Sequence, residues 1–244
     1  MRPHLFLAPA LLASVPLLAM AQSTCNSDGQ PQPRVLYERF ISADCDSCWA
    51  SAPAHVPSAS TLVVDWIVPG RLGDDAPLAA AATRDALERL QTLQRPVGPQ
   101  ATDTAIHDVS PPAQATGRLR VTRGPAVNDY VSNGIHLTRR ERAARQSDAT
   151  PPSYQFTLLL VEHIPAGTEG SPVARQLVRN ALFGTWSPSA ARPAPAGQLR
   201  WMEDRPMRIP EGAQTERLGV VGWLQDDSGA VVAAAQSQCR ETRP

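Results

Sequence analysis

Two cysteines three positions apart, Cys45 and Cys48 in Cys45-Asp46-Ser47-Cys48, are the residues best suited to chemistry. A thiol pair at this spacing closes a small disulfide ring and reopens it by exchange with an outside thiol. In the expected arrangement Cys45 is the attacking thiolate, helped by the positive end of a helix, and Cys48 is the resolving thiol one turn further on. Local charge works against the first role. Asp44 and Asp46 flank Cys45, with no Arg or His within four residues on the C-terminal side. Like charge at that range disfavours a thiolate, so the expected Cys45 pKa lies not far below the free-thiol value of roughly 8.5. The disulfide is then expected to be stable rather than strongly oxidising.

Such a pair needs a strand to deliver it and a helix to present it. Residues 35–40 are strand-like, and Asp44 is a good N-cap for a helix that Pro53 must end or kink. Residues 61–68 form an almost unbroken apolar run, as expected of a strand buried on both faces. Pro77 occupies a first-helical-residue position, and residues 78–93 carry Ala79, Ala82, Ala86, Leu90 and Leu93 at helical spacing. Strand, helix, strand, helix is the opening of an α/β unit. Residues 94–117 turn Pro-, Thr- and Ala-rich, and beyond them the hydrophobic period changes from 3.6 to 2. Strands are predicted at 118–123, 131–138, 154–163 and 199–203, with a hairpin from 218–225 through Asp226-Asp227-Ser228-Gly229 into 230–236. Residues 173–183 fit a short helix or a strand equally well. The expected fold is α/β plus all-β: an open α/β domain at 35–113 followed by a β-sandwich-like domain at 114–244.

The other two cysteines, Cys25 and Cys239, lie near the ends of the chain. The close spacing of Cys45 and Cys48 favours a bond within that motif, which leaves Cys25 to pair with Cys239. A zinc site built from all four thiolates wants two closely spaced pairs, and Cys25 and Cys239 have no close neighbour. Disulfides suit export, and the N-terminus agrees. Arg2 and His4 precede an apolar run over 5–18, then Ala19-Met20-Ala21, which reads as a signal peptide (1–21) cleaved after Ala21. A polar, Pro-rich tail (22–34) follows. Gln22-Ser23-Thr24 lacks the pattern that precedes a lipid-modified cysteine at Cys25. The expected location is periplasmic or secreted, with no membrane insertion after signal cleavage.

The segment over 36–48, ending Ser42-Ala43-Asp44-Cys45-Asp46-Ser47-Cys48, resembles the strand and motif of a secreted, thioredoxin-like bacterial family of unknown function. Val64-Asp65-Trp66 resembles that family's next strand. Leu158-Leu159-Leu160-Val161, Arg179-Asn180-Ala181-Leu182 and residues 220–226 resemble parts of its C-terminal β-rich domain. The resemblance implies a thioredoxin-like fold and a cis-proline loop facing the cysteines, for which Pro99 is the candidate. Two departures stand out. Trp49 replaces the proline usual after the second cysteine, and residues 101–105 replace the strand expected after Pro99, so either the thioredoxin-like unit at 35–113 is partly eroded or strands of the β-rich domain complete it.

Overall composition narrows the remaining functions. The 244 residues carry 23 basic and 23 acidic side chains, every basic one an arginine, and 42% are hydrophobic. Zero net charge excludes a strong general pull toward nucleic acid or anionic lipid. Arg139-Arg140-Glu141-Arg142-Ala143-Ala144-Arg145 is the one dense basic run, and without aromatic interleaving it reads as an exposed loop or short helix. His55 is read as a solvated loop residue, and His107, His136 and His163 share no metal-ligand spacing. Trp66, Trp186, Trp201 and Trp223 sit in or beside apolar runs, as packing residues do. With no phosphate-binding glycine loop and no Gly-x-Ser-x-Gly, no cofactor and no metal is expected. The expected partners are protein thiols or a redox partner protein, and not nucleic acid. Two functions are consistent with this sequence: an exported thiol–disulfide redox protein acting through Cys45 and Cys48, or a disulfide-stapled binding scaffold of the cell envelope.

Overall fold

The computed structural model describes residues 24–96, 102–110, 117–140 and 153–239. The proposed signal peptide, Pro99 and most of the basic run lie outside the described residues. Thirteen strands carry the structure in chain order: β1 (Cys25–Asn26), β2 (Val35–Ser42), β3 (Thr61–Val68), β4 (Thr102–Asp108), β5 (Gly117–Val127), β6 (Tyr130–Arg140), β7 (Tyr154–Ile164), β8 (Arg175–Trp186), β9 (Arg192–Ala194), β10 (Gln198–Arg208), β11 (Leu218–Gln225), β12 (Val231–Gln236) and β13 (Gln238–Cys239). Among the described residues two α-helices accompany them, α1 (Asp46–Ala50) and α2 (Arg84–Thr92).

The strands make two sheets. A six-stranded sheet runs β13-β1-β5-β6-β10-β9, and a seven-stranded sheet runs β12-β11-β7-β8-β3-β2-β4. The second sheet takes β2, β3 and β4 from residues 35–113 and β7, β8, β11 and β12 from 114–244. This overturns the expected α/β thioredoxin-like domain followed by a separate β sandwich. The structure is mostly β, and the physical reason lies at β3. Its open edge is taken by β8, which joins in parallel at Asp65 and Leu177, so strands from the later half complete the sheet. The helices are also too short to cover an α/β layer. The helix expected over 78–93 is broken: residues 79–81 form one 3-10 turn, and α2 starts afresh at Thr83, whose hydroxyl accepts the Ala86 N–H at 3.2 Å.

A second correction concerns residues 101–105, where no strand was expected. Thr102–Asp108 is strand β4, paired antiparallel to β2 along its length. Its polar residues suit an edge position, where only Ala105 is buried and Ile106 faces solvent. The ambiguous segment at 173–183 is strand β8, because β7 offers it a full antiparallel partner. Strands β2 and β3 pair in parallel, Val35 with Thr61 through Ser42 with Val68.

Side-chain alternation along these strands sorts the interior into three clusters. Leu119, Val121, Ile135, Leu137 and Trp201 of the six-stranded sheet pack on Phe156, Leu158, Leu160, Leu218 and Val220 of the other, making the sandwich core. Gly222 marks their close approach, since a Cβ there would lie 3.0 Å from both Ile135 Cδ1 and the Thr157 carbonyl oxygen. A second cluster places Leu36, Phe40, Val64 and Trp66 beneath Ala86 and Leu90 of α2. A third gathers Ile41, Ile67, Ile164 and Leu177 around Trp49 of α1. Trp66, Trp186, Trp201 and Trp223 are all buried.

Candidate functional site

Where β2 ends, the Ala43 N–H still reaches the Val68 carbonyl at 2.8 Å, so parallel pairing carries the chain up to the cysteine motif. The Cys45 N–H then turns back to the Ser42 carbonyl at 3.0 Å. Asp44 was expected to cap the helix, but Cys45 holds that position and has no side-chain cap bond. The Asp44 carboxylate instead accepts the backbone N–H groups of Arg71 at 2.7 Å and Leu72 at 3.2 Å. It thereby ties the turn after β3 to the motif. Gly70 makes this possible, because a Cβ there would lie 2.0 Å from Asp44 Oδ1.

Cys45 and Cys48 are joined in a disulfide across the first turn of α1. The Cys45 carbonyl accepts the N–H groups of Cys48 at 3.2 Å and Trp49 at 3.4 Å. Five residues give α1 too little length for a substantial dipole, so the helix contributes less to a thiolate than the motif suggests. The two half-cystines differ in exposure. Cys45 is 7% exposed and its sulfur lies 3.6 Å from the Ser47 hydroxyl, whereas Cys48 is half-buried between exposed Ser47 and buried Trp49. Cys48 is therefore the more exposed residue of the pair, whereas the motif led to the expectation of a solvent-facing Cys45.

Beneath α1 lies a buried charge network that sequence reasoning missed. Asp65 is fully buried, with Arg39 Nη2 at 2.7 Å and Arg175 Nη1 at 3.2 Å. Arg175 also donates to the carbonyls of Trp49 at 2.6 Å and Ser51 at 2.9 Å, and its guanidinium lies over the Trp49 ring, 4.5 Å from the centroid. Burial lowers the Arg175 pKa, and Asp65 opposes that shift. The Trp49 indole N–H donates to the Glu169 carbonyl at 2.7 Å. Together these contacts bind the C-terminal end of α1 to β3 and β8. The sequence held one signal for the network: charged residues inside strands that are otherwise apolar need buried partners.

A second such network lies on the opposite face, beneath α2. Glu38, fully buried, accepts Arg89 Nε at 2.8 Å and Nη2 at 2.7 Å, and His107 Nε2 lies 3.1 Å from the same carboxylate. Burial alone pushes the Glu38 pKa up, but Arg89 and His107 outweigh it and hold the carboxyl below its usual range. His107 thus belongs to an ion network rather than to an ordinary strand surface. His55 is exposed, as read, but stacks on Tyr37 with centroids 4.1 Å apart.

Cys25 and Cys239 form the second disulfide, directly opposite each other in the β1–β13 pairing. The described cysteines are all bonded. Among the described residues no cluster of three His, Cys, Asp or Glu side chains is placed to hold a metal ion. Nor is any described helix long and apolar enough to cross a membrane. Comparison with protein-family models, with curated proteins and with solved structures finds no match in any of the three.

Proposed function

We propose that the protein exchanges disulfides with thiols outside the cytoplasm through the Cys45–Cys48 pair, with Cys48 as the sulfur attacked first. The observation that carries this reading is the difference in exposure between two bonded cysteines at a strand-to-helix turn. An incoming thiolate of a partner dithiol attacks Cys48 Sγ, a mixed disulfide forms, and the Cys45–Cys48 bond breaks. Cys45 leaves as the thiolate, beside the Ser47 hydroxyl, which donates a hydrogen bond to it. The partner's second thiolate then attacks its own sulfur in the mixed disulfide and releases Cys48. Two electrons have passed to the pair: the partner dithiol is oxidised to a disulfide, and Cys45 and Cys48 are reduced. The reverse sequence reduces a partner disulfide.

The burial of Cys45 favours a second reading, in which the bond is a permanent staple of a binding scaffold. Equilibration with defined ratios of reduced and oxidised glutathione separates the two. Exchange chemistry requires the 45–48 bond to open reversibly between about −270 and −180 mV, the span from thioredoxin to protein disulfide isomerase. The Cys25–Cys239 bond should stay closed over that range, as read by alkylation and mass. A 45–48 bond that stays closed to −270 mV leaves the scaffold reading in place.

A further inference from the structure

The outer face of the six-stranded sheet carries a concavity of about 550 Å³ in which four arginines, Arg118, Arg120, Arg140 and Arg200, meet one lining carboxylate, Asp28. Register explains the crowding. Arg118 of β5 and Arg200 of β10 both stand opposite Thr138 of β6, one on each side. Arg140 stands opposite Gln198, which makes it a diagonal neighbour of both Arg118 and Arg200. Like charges at such cross-strand positions destabilise a sheet, and the ordinary remedy is an interleaved acid. Asp28 supplies that remedy to Arg120 at 2.8 Å and to Arg118 at 3.3 Å. Among the described residues Arg140 and Arg200 make no ion pair and no side-chain hydrogen bond, and both are exposed. His136, at the same cavity, is engaged by Asp204 at 2.9 Å.

From this arrangement we propose a binding site for a ligand carrying two or more phosphate groups, independent of the disulfide chemistry. Arg118 and Arg200 rise from strands separated by two strand spacings, roughly 9.5 Å, with the Thr138 hydroxyl between them. That gap admits two oxyanion groups, and guanidinium forks pair with phosphate oxygens two at a time. Gln198 adds an amide for a neighbouring hydroxyl or ester oxygen. No Phe, Tyr or Trp is among the described lining residues, and the one aromatic ring there, His136, is held by Asp204, so a polyol bisphosphate or a lipid headgroup with two phosphates fits better than a nucleotide.

Titration calorimetry of the full chain with sodium pyrophosphate tests the site. Saturable binding should weaken at least tenfold in the double variant Arg140→Gln/Arg200→Gln, which leaves the Asp28 ion pairs in place. It should be unchanged in Arg205→Gln, which removes an equal charge from an exposed arginine paired with Glu203 outside the cavity. Cosedimentation with vesicles containing cardiolipin, whose headgroup carries two phosphates, forms the second arm. Vesicle binding lost in the double variant, without pyrophosphate binding, assigns the phosphates to a lipid surface; pyrophosphate binding assigns them to a soluble ligand. Binding to neither probe, or an equal response of Arg205→Gln and the double variant, overturns the proposal.

Discussion

Replacing Asp65 with Asn strips the charge from the carboxylate shared by two buried guanidiniums while keeping its shape. In the native network Arg39 and Arg175 are 4% and 1% exposed, and each lies within about 3 Å of Asp65. At an effective dielectric near 20, each charge pair some 4 Å apart is worth about 4 kcal/mol. Asparagine retains one acceptor oxygen and escapes the carboxylate's own desolvation, which offsets part of that loss. Breaking a buried pair from one side typically costs about 3–5 kcal/mol, and that is the expected destabilisation here. With a urea m-value of about 3 kcal/mol/M, the unfolding midpoint should fall by roughly 1–1.7 M. Urea titration of the oxidised protein, followed by tryptophan fluorescence, measures it. Hydrogen exchange adds a local readout, because Arg175 freed from Asp65 should hold the Trp49 and Ser51 carbonyls less firmly and let α1 open more often. A midpoint shift below about 0.3 M, with exchange in α1 unchanged, would refute the claim that this network secures the cysteine motif.

The Cys25–Cys239 bond spans 214 positions, and chain-entropy arguments credit a loop of that size with roughly 5 kcal/mol. The double variant Cys25→Ala/Cys239→Ala should therefore unfold at a clearly lower urea concentration, with the 45–48 bond intact by mass. Because the folded-state pKa of Glu38 is depressed, its stabilising contribution is complete above the ordinary carboxylate value and is lost as pH falls through the lower folded value. Glu38→Gln should accordingly be destabilised at pH 7, and its deficit against the native protein should narrow below about pH 4. Gly222→Ala places a methyl group between the two sheets, and overpacking of this kind costs about 1–3 kcal/mol, read as a lower melting temperature.

Strands with a clear period of two, or an unbroken apolar run, were legible from residues alone. β3 runs over 61–68 and β11 over 218–225, as their hydrophobic patterns require. The pairing of Cys25 with Cys239 followed from spacing. What stayed hidden was set by partners distant in sequence. β4 is polar, and only the open edge of β2 makes Thr102–Asp108 extend. β8 reads as helix or strand until β7 is beside it. The sheet that unites both halves of the chain depends on β3 leaving an edge that β8 fills, and no local pattern encodes such a choice. At the site, the spacing of Cys45 and Cys48 located the disulfide. It did not reveal that Asp44 turns toward Arg71 and Leu72, or that Trp49 and Arg175 anchor the helix from below. It also pointed to Cys45 as the solvent-facing member, whereas Cys48 is the more exposed residue of the two.

Which sulfur meets an outside thiol can be read directly. The oxidised protein is mixed with a molar excess of reduced glutathione, quenched in acid within seconds, digested and mapped for the glutathione adduct. The account requires the early adduct to form on Cys48, with Cys45 recovered as a thiol. An adduct on Cys45, or no adduct while the bond stays closed, would contradict it.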